Sequence, residues 1–357
     1  MHGWIKALTL AACCVGGTAA AQLPVHEFRK ASMCNASAAV PVDERKVMIG
    51  DNEKRRIATF DIVSGRMVDD TDLPNGAGAD IEGGTILDGR VVWITSHGRN
   101  ADGQTRPGRR NLFVSHRFTR PGAVEPVPIA PFTGLLRAIR DKAAYDPVFA
   151  RVYAAIGEIP VNPDLAPKRQ GFNIEGLTTT EGLLNAPAPL GLLIGLRNPA
   201  AADGRAILFE LPNAAALLDR PDASTNIGRT FLLDLGGRRI RDIAWSARAR
   251  AYLVVGGPVG DAPEKPAAGG PAFAVFKWKG GVDHKPERID AFGDIDALDD
   301  FHAEAIVPLL SRENGVLAPS NRVLLLSDDG KRKINGVVCN DLPDGQKFFR
   351  GVIATVE

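Results

Sequence analysis

Long apolar runs are scarce in this 357-residue sequence. Beyond the N-terminal segment none reaches the roughly 18 residues that a bilayer-spanning helix needs, so no transmembrane segment is expected. Charge of one sign is lacking too: the formal net charge is +1, and no basic block or Arg-rich helix stands out. Nucleic acid is therefore not expected as a partner. Aromatic residues make up only 6% of the chain, and there are four cysteines. No CxxC pair or Cys/His cluster occurs, which argues against a structural zinc site. Catalytic signatures are equally absent: there is no GxSxG, HExxH, P-loop or EF-hand spacing. The acidic stretch "DALDDFHAE" (Asp296–Glu304) is able to attract Ca2+ but lacks the EF-hand loop pattern, and "GGPVGD" at Gly256 has no phosphate-loop lysine.

What is present points to β-structure. Hydrophobic residues are 45% of the chain and charged residues 24%, enough apolar surface for a large core and too little charge for wholesale disorder. The 38 glycines and 25 prolines suit many short strands joined by turns. The first residues read as a signal peptide over 1–21: a cationic start "MHGWIK", an apolar core "ALTLAACCVGG", and "TAAAQ" with Ala-x-Ala before Gln22. "LAAC" also fits lipoprotein processing at Cys13, but it leaves only about six apolar residues after Lys6, so cleavage after Ala21 is the expectation. The mature chain, 22–357, is expected to be one domain, periplasmic or secreted, and a monomer. Loss of Lys6 leaves 42 basic residues against 42 acidic ones. Only Cys34 and Cys339 remain, one near each end, and an oxidising compartment makes them a candidate disulfide that would bring the two ends together.

Repeats organise the rest. "GFNIEGL" (Gly171–Leu177) has relatives in "GADIEGG" (Gly78–Gly84), "RIRDIAW" (Arg239–Trp245) and "DFHAEAI" (Asp300–Ile306), with a weaker copy "CNASAAV" (Cys34–Val40) that carries Ser37 in place of the acid. Each is followed by an apolar run: "KVMIGD" at Lys46, "RVVWITS" at Arg90, "LGLLIGL" at Leu190, "AYLVVGG" at Ala251 and "RVLLLSD" at Arg322. Third strands follow at residues 56, 111, 206 and 273, and "RTFLLDL" at Arg229 and "ERIDAFG" at Glu287 fit outer strands. The apolar runs do not alternate, so both faces of those strands are covered. Radially stacked four-stranded sheets meet that demand. The expected fold class is all-β, a β-propeller with five recognisable blades starting near residues 34, 79, 171, 239 and 300, and five to seven in total. Leu135, Leu136, Ile139 and Ala143 follow helical spacing and Pro147 restarts it, so one or two helices over 133–157 are expected inside a blade or replacing part of one. The terminal "FFRGVIATV" reads as a last strand, completing the blade opened by the N-terminus.

With these residues in hand, the chain resembles secreted bacterial β-propellers. "AEAI…NRVLLLSDDGKR" (Ala303–Arg332) is similar to phytase-like and esterase-like propeller families, and "NIEGL…LLIGLRNP" (Asn173–Pro199) looks like a bacterial propeller family known only as a domain of unknown function. The resemblance implies the fold; it implies little about activity.

If the repeated acids occupy one place in each blade, Glu82, Glu175, Asp242 and Glu304 converge near the axis. Carboxylates crowded there must bind a cation, pair with bases or hold raised pKa values. Glu175 and Glu304 are the candidate metal ligands, for Ca2+ or Mg2+. Loops after the second strands supply His97, Arg99, Asn100, Arg197 and Asn198, and "SDDGK" adds Asp328, Asp329 and Lys331. Arg99 and Arg197 suit anion recognition, and His302 stands two residues before Glu304. The structural alternative is that the acids bond backbone amides or pair with arginines of the next blade, and "SDDG" reads equally as a turn. Two function classes stay open: a scaffold that binds a small molecule or protein at an acidic, Arg-lined axial pocket, or a metal-assisted, Ca-dependent hydrolase of phosphate esters, esters or lactones.

Overall fold

The computed structural model describes residues 23–74, 78–183, 189–260 and 272–357. The segment expected to be a signal peptide, Cys13 with it, and most of the Gly260–Ala272 loop lie outside the described residues. Among those described, no helix is long and apolar enough to cross a membrane.

After β1 (Val25–Ala31), the chain lays down four-stranded antiparallel sheets, each running from inside to outside. Blade I is β2 (Ala36–Pro41), β3 (Lys46–Asp51), β4 (Arg56–Asp61) and β5 (Arg66–Asp72). Blade II is β6 (Ile81–Leu87), β7 (Arg90–Thr95), β8 (Leu112–Arg120) and β9 (Ala123–Pro126). Helices α1 (Leu135–Ala143) and α2 (Pro147–Ile156) follow. Blade III is β10 (Asn173–Thr179), β11 (Leu192–Asn198), β12 (Ala206–Leu211) and β13 (Thr230–Leu233), with α3 (Ala214–Asp219) before the last strand. Blade IV is β14 (Arg239–Ser246), β15 (Ala251–Gly257), β16 (Ala274–Trp278) and β17 (Glu287–Ile289). Blade V has β18 (Ala303–Glu313), β19 (Val316–Ser327), a small hairpin of β20 (Lys333–Ile334) and β21 (Val337–Val338), and β22 (Lys347–Thr355).

The inner strands touch in the closed order β2, β6, β10, β14, β18 and back to β2. Five buried clusters fill the five interfaces between neighbouring blades, which fixes the blade number at five. The second strands carry continuous apolar runs because both their faces lie in these interfaces: every residue of β11 and β15 is buried. Outer strands face water on one side, and β5 is almost wholly exposed. Between inner strands the approach is so close that a Cβ on Gly83 would stand 2.7 Å from Leu177 Cβ.

Two expectations need correcting. The helices do not sit within a blade; they form the link from β9 to β10. Asp146 caps α2, accepting from the Val148 amide at 2.9 Å, and Pro147 occupies its first turn. Leu135, Ile139, Phe149 and Val152 then pack with Phe132, Leu192 and Phe209 over the interface of blades II and III. The C-terminal strand, for its part, does not complete the first blade. It is the third strand of blade V, and β1 adds the fourth, with Val25 opposite Val352 and Phe28 opposite Phe349. Phe28 stacks on Phe349 at 5.0 Å, and Phe60 of blade I meets both edge-on, so the closing strand is anchored across the last interface. Cys34 and Cys339 are bonded, with Cα atoms 6.1 Å apart, tying the entry of blade I to blade V.

Candidate functional site

Each inner strand slips register near its start, and the pairings of β10 and β18 slip a second time, between Asn173 and Ile174 and between Pro308 and Leu310. The residue passed over is Ser37 in β2, Glu82 in β6, Glu175 in β10, Arg241 in β14 and Glu304 in β18. A bulge leaves its extra residue out of the ladder and re-aims its side chain, so five blades present five side chains at one equivalent level. All five are buried, with exposures of 1% to 7%.

Blade IV contributes a base. Arg241 donates from Nε to Glu304 at 2.8 Å, pairs with the same carboxylate through Nη2, and lies with Nε 2.9 Å from Glu175 Oε2. Glu175 in turn receives Arg197 Nη1 at 2.6 Å and the side-chain amide of Asn173 at 2.7 Å. Glu304, Arg241, Glu175 and Arg197 thus form a chain of alternating charge joining blades V, IV and III. Two acids balance two bases, which is the condition under which charges persist at such burial. Burial pulls the Arg241 pKa down to about 10, while Glu175, Glu82 and Asp328 act to hold its proton on.

Glu82 stands outside this chain. It makes no hydrogen bond or ion pair among the described residues, and burial, with repulsion from Asp80 and Glu175, pushes its pKa well above the carboxylate range. Asp80 pairs with Arg109 at 2.8 Å. The Ser37 hydroxyl donates to the Ile81 carbonyl at 2.5 Å. Two residues before the ring, Asn35 and Asn173 are 3% and 4% exposed, and each leaves its amide oxygen without a hydrogen bond among the described residues. At the other end of the axis the chemistry is different: the C-terminal ends of the five inner strands, with Val40, Ile86, Trp245 and Pro308, line a largely apolar funnel of about 290 Å³.

The structure therefore gathers Glu82, Glu175, Arg197 and Glu304 around Arg241, with Asp328 within electrostatic reach. It does not bring in the others. Asp242 is one residue past the ring; its two oxygens accept the amides of Ile243 and Ile306, each at 2.8 Å, stitching blade IV to blade V. Burial raises its pKa well above the usual range. Arg99 instead closes the end of α2, donating to the carbonyls of Ile156, Ile159 and Gly103 at 2.8–3.2 Å. His302 lies at the rim, 3.5 Å from Asp300, and only its backbone amide reaches Ser327. Asp328 receives the Gly330 amide at 2.9 Å in a turn, and Asp329 holds Arg350 through two bonds of 2.7 and 2.8 Å. His97 bonds the Thr95 carbonyl, and burial lowers its pKa to about 4. Between Glu175 and Glu304, where a cation was expected, stands the Arg241 guanidinium. Among the described residues no group of three or more His, Cys, Asp or Glu is placed to hold a metal ion.

Arg241 was hidden by the acid beside it. Aligning on the first apolar residue of each inner strand, Ile81, Ile174, Ile240 and Ala303, puts Arg241 level with the three glutamates; aligning on acids puts Asp242 there instead.

No protein-family model matches the chain, and no curated protein matches it. Solved structures that it resembles are β-propeller proteins at low identity. The PQQ-bound aldose sugar dehydrogenase of Streptomyces coelicolor has a TM-score of 0.40 at 9% identity, covering 94% of this chain and 100% of that one. Virginiamycin B lyase of Staphylococcus aureus has 0.37 at 10%, covering 94% and 100%. Regucalcin of Agrobacterium tumefaciens, titled a calcium-binding protein, has 0.37 at 8%, covering 94% and 96%. None of these activities transfers at such distances.

Proposed function

We propose that this chain is an exported propeller whose axial ring binds a small neutral ligand rich in hydroxyl groups. The observation that carries the reading is Glu82: a buried carboxyl without a hydrogen bond or ion pair among the described residues, whose burial raises its pKa and so favours the neutral form, which can donate a hydrogen bond. The amide oxygens of Asn35 and Asn173, without a hydrogen bond among the described residues, would accept from a ligand's hydroxyls. A buried polar group left unmatched costs about 1–3 kcal/mol, so a ligand that matches three of them gains both affinity and specificity. Export is supported by the Cys34–Cys339 bond and by the signal-like first residues. Kinship with phytase-like propellers rests on the short motifs of blade V. Metal-assisted hydrolysis has less in its favour, because Arg241 engages both carboxylates proposed as ligands.

The test is calorimetric titration of the purified protein with a panel of monosaccharides, polyols, primary amines and lactones. Binding of a sugar or polyol is expected, kept by Glu82→Gln and lost in Glu82→Ala. Tighter binding of amines, or equal binding by Glu82→Ala, refutes a neutral acid as the recognition group. Turnover of a lactone or ester, abolished by EDTA, would restore the metal-assisted hydrolase.

A further inference from the structure

The apolar funnel lies at the end of the axis opposite the ring. One side of it is longer than the rest. β18 runs 11 residues, against 6 to 8 for the other inner strands, and with β19 it prolongs the wall through Leu310 and its partner Pro319. Arg312 ties that hairpin to blade I through two bonds to the Glu44 carboxylate, at 2.9 and 3.0 Å. A volume of about 290 Å³ is near the lower bound of small-molecule sites, so an occupant must be small.

A carboxylate is set into this wall. Glu181 lines the funnel from the turn that follows β10, Thr180–Gly182. That turn is held on both sides of Glu181. The Thr180 amide donates to the Gly191 carbonyl at 3.0 Å, and its hydroxyl accepts the Gly191 amide at 2.9 Å. On the other side the buried Tyr252 hydroxyl accepts the Gly182 amide at 2.9 Å and donates to the Thr179 carbonyl at 3.0 Å. Glu181 itself is exposed and makes no hydrogen bond or ion pair among the described residues. Trp245 lines the same side of the funnel: a Cβ on Gly182 would collide with its indole, so ring and carboxylate are neighbours.

We propose that this funnel binds a small quaternary ammonium compound, independently of the axial ring, with Glu181 as counter-charge and the Trp245 indole as an aromatic partner. A carboxylate beside an indole favours a cation twice, through its charge and through the ring's quadrupole. The apolar walls then select among cations. A primary ammonium would lose water from three N–H donors against Val40, Ile86 and Pro308, whereas a trimethylammonium carries no donor and presents methyl groups to them.

The probe is benzyltrimethylammonium, titrated into the full chain, with benzylamine and benzyl alcohol as comparison arms. Benzyltrimethylammonium is expected to bind more tightly than either. Glu181→Gln weakens it about fivefold and Trp245→Phe about threefold. Glu181 is exposed, so an unchanged melting temperature should accompany its loss of affinity. Trp93 and Trp278 are fully buried, so quenching of the half-buried Trp245 should follow the titration and vanish in Trp245→Phe. Glu82→Ala leaves this binding intact, which separates it from the axial reading. Benzylamine or benzyl alcohol binding as tightly as the quaternary ion, affinity unchanged in the Glu181→Gln, Trp245→Phe double variant, loss of binding in Glu82→Ala, or no saturation by about 10 mM overturns the proposal.

Discussion

Replacing Arg241 with methionine tests the axial network most directly. The substitution keeps an unbranched side chain but strips Glu175 and Glu304 of a shared cation, leaving two carboxylates that are 2% and 6% exposed. Removing one partner of a buried pair costs about 3–5 kcal/mol. Unfolding entropy of about 2.1 cal/mol/K per residue gives this 357-residue chain roughly 0.7 kcal/mol/K, so the melting temperature should fall by about 4–7 °C at pH 7.5. The loss must depend on pH. Without Arg241, burial penalises the charged form of the Glu304 carboxyl, so the loss should be small at acid pH, where that carboxyl is protonated in folded and unfolded states alike, and should grow as pH rises. Calorimetric melting from pH 4 to pH 8 should therefore show variant and wild type converging at the acid end and separating toward neutrality. Adding Glu304→Gln to Arg241→Met should recover much of the loss at pH 7.5, because the orphaned charge is gone. A loss that is the same at every pH, or no loss at pH 7.5, refutes the claim that the ring is held by buried charge pairing.

Two further outcomes follow from groups nearby. Asp51 ends β3 at 1% exposure, and burial pushes its pKa up to about 7. A folded pKa above the unfolded value near 3.9 means stability is lost as pH rises from about 4 to 7, by up to about 4 kcal/mol. Asp51→Asn keeps an oxygen for the amides of Glu53 and Lys54, so it should raise the melting temperature at pH 8 and change little at pH 4; equal effects at both would sink the assignment. Reducing the Cys34–Cys339 bond, which closes a span of 305 residues, should cost about 2–5 kcal/mol, read as a lower denaturant midpoint with reductant. An unchanged midpoint in the Cys34→Ala, Cys339→Ala double variant would show that β1 and β22 hold the closure unaided.

The parts of the fold that could be read in advance are those where burial leaves a loud pattern. The second strand of each blade carries an apolar run buried on both faces, so "RVVWIT" and "AYLVVGG" announced themselves. Strands β5 and β9 did not, because "RMVDDTD" and "AVEP" lie at the exposed rim, where composition is free to drift. The helices were legible from spacing and from Asp146-Pro147, yet their place between blades depended on β9, which was invisible. At the site, three of the ring positions carried the expected acid. The fourth hid behind a neighbouring aspartate, since the bulge that selects Arg241 over Asp242 is a property of strand pairing rather than of residue type. Arg99 looked like a ligand clamp because isolated arginines do; the carbonyls it satisfies come together only once α2 is docked.

The composite last blade also imposes an order on assembly. Among the described strands β1 is synthesised first and β22 last, and Phe28 meets Phe349 only after the intervening blades have been made. Blades I to IV each consist of consecutive strands and can form locally, while the ring stays open as a four-bladed arc with two apolar end faces. Such late, non-local pairing is slow, and the waiting faces are sticky. The window between synthesis of β1 and arrival of β22 is when a chaperone, or a protease, has its best access.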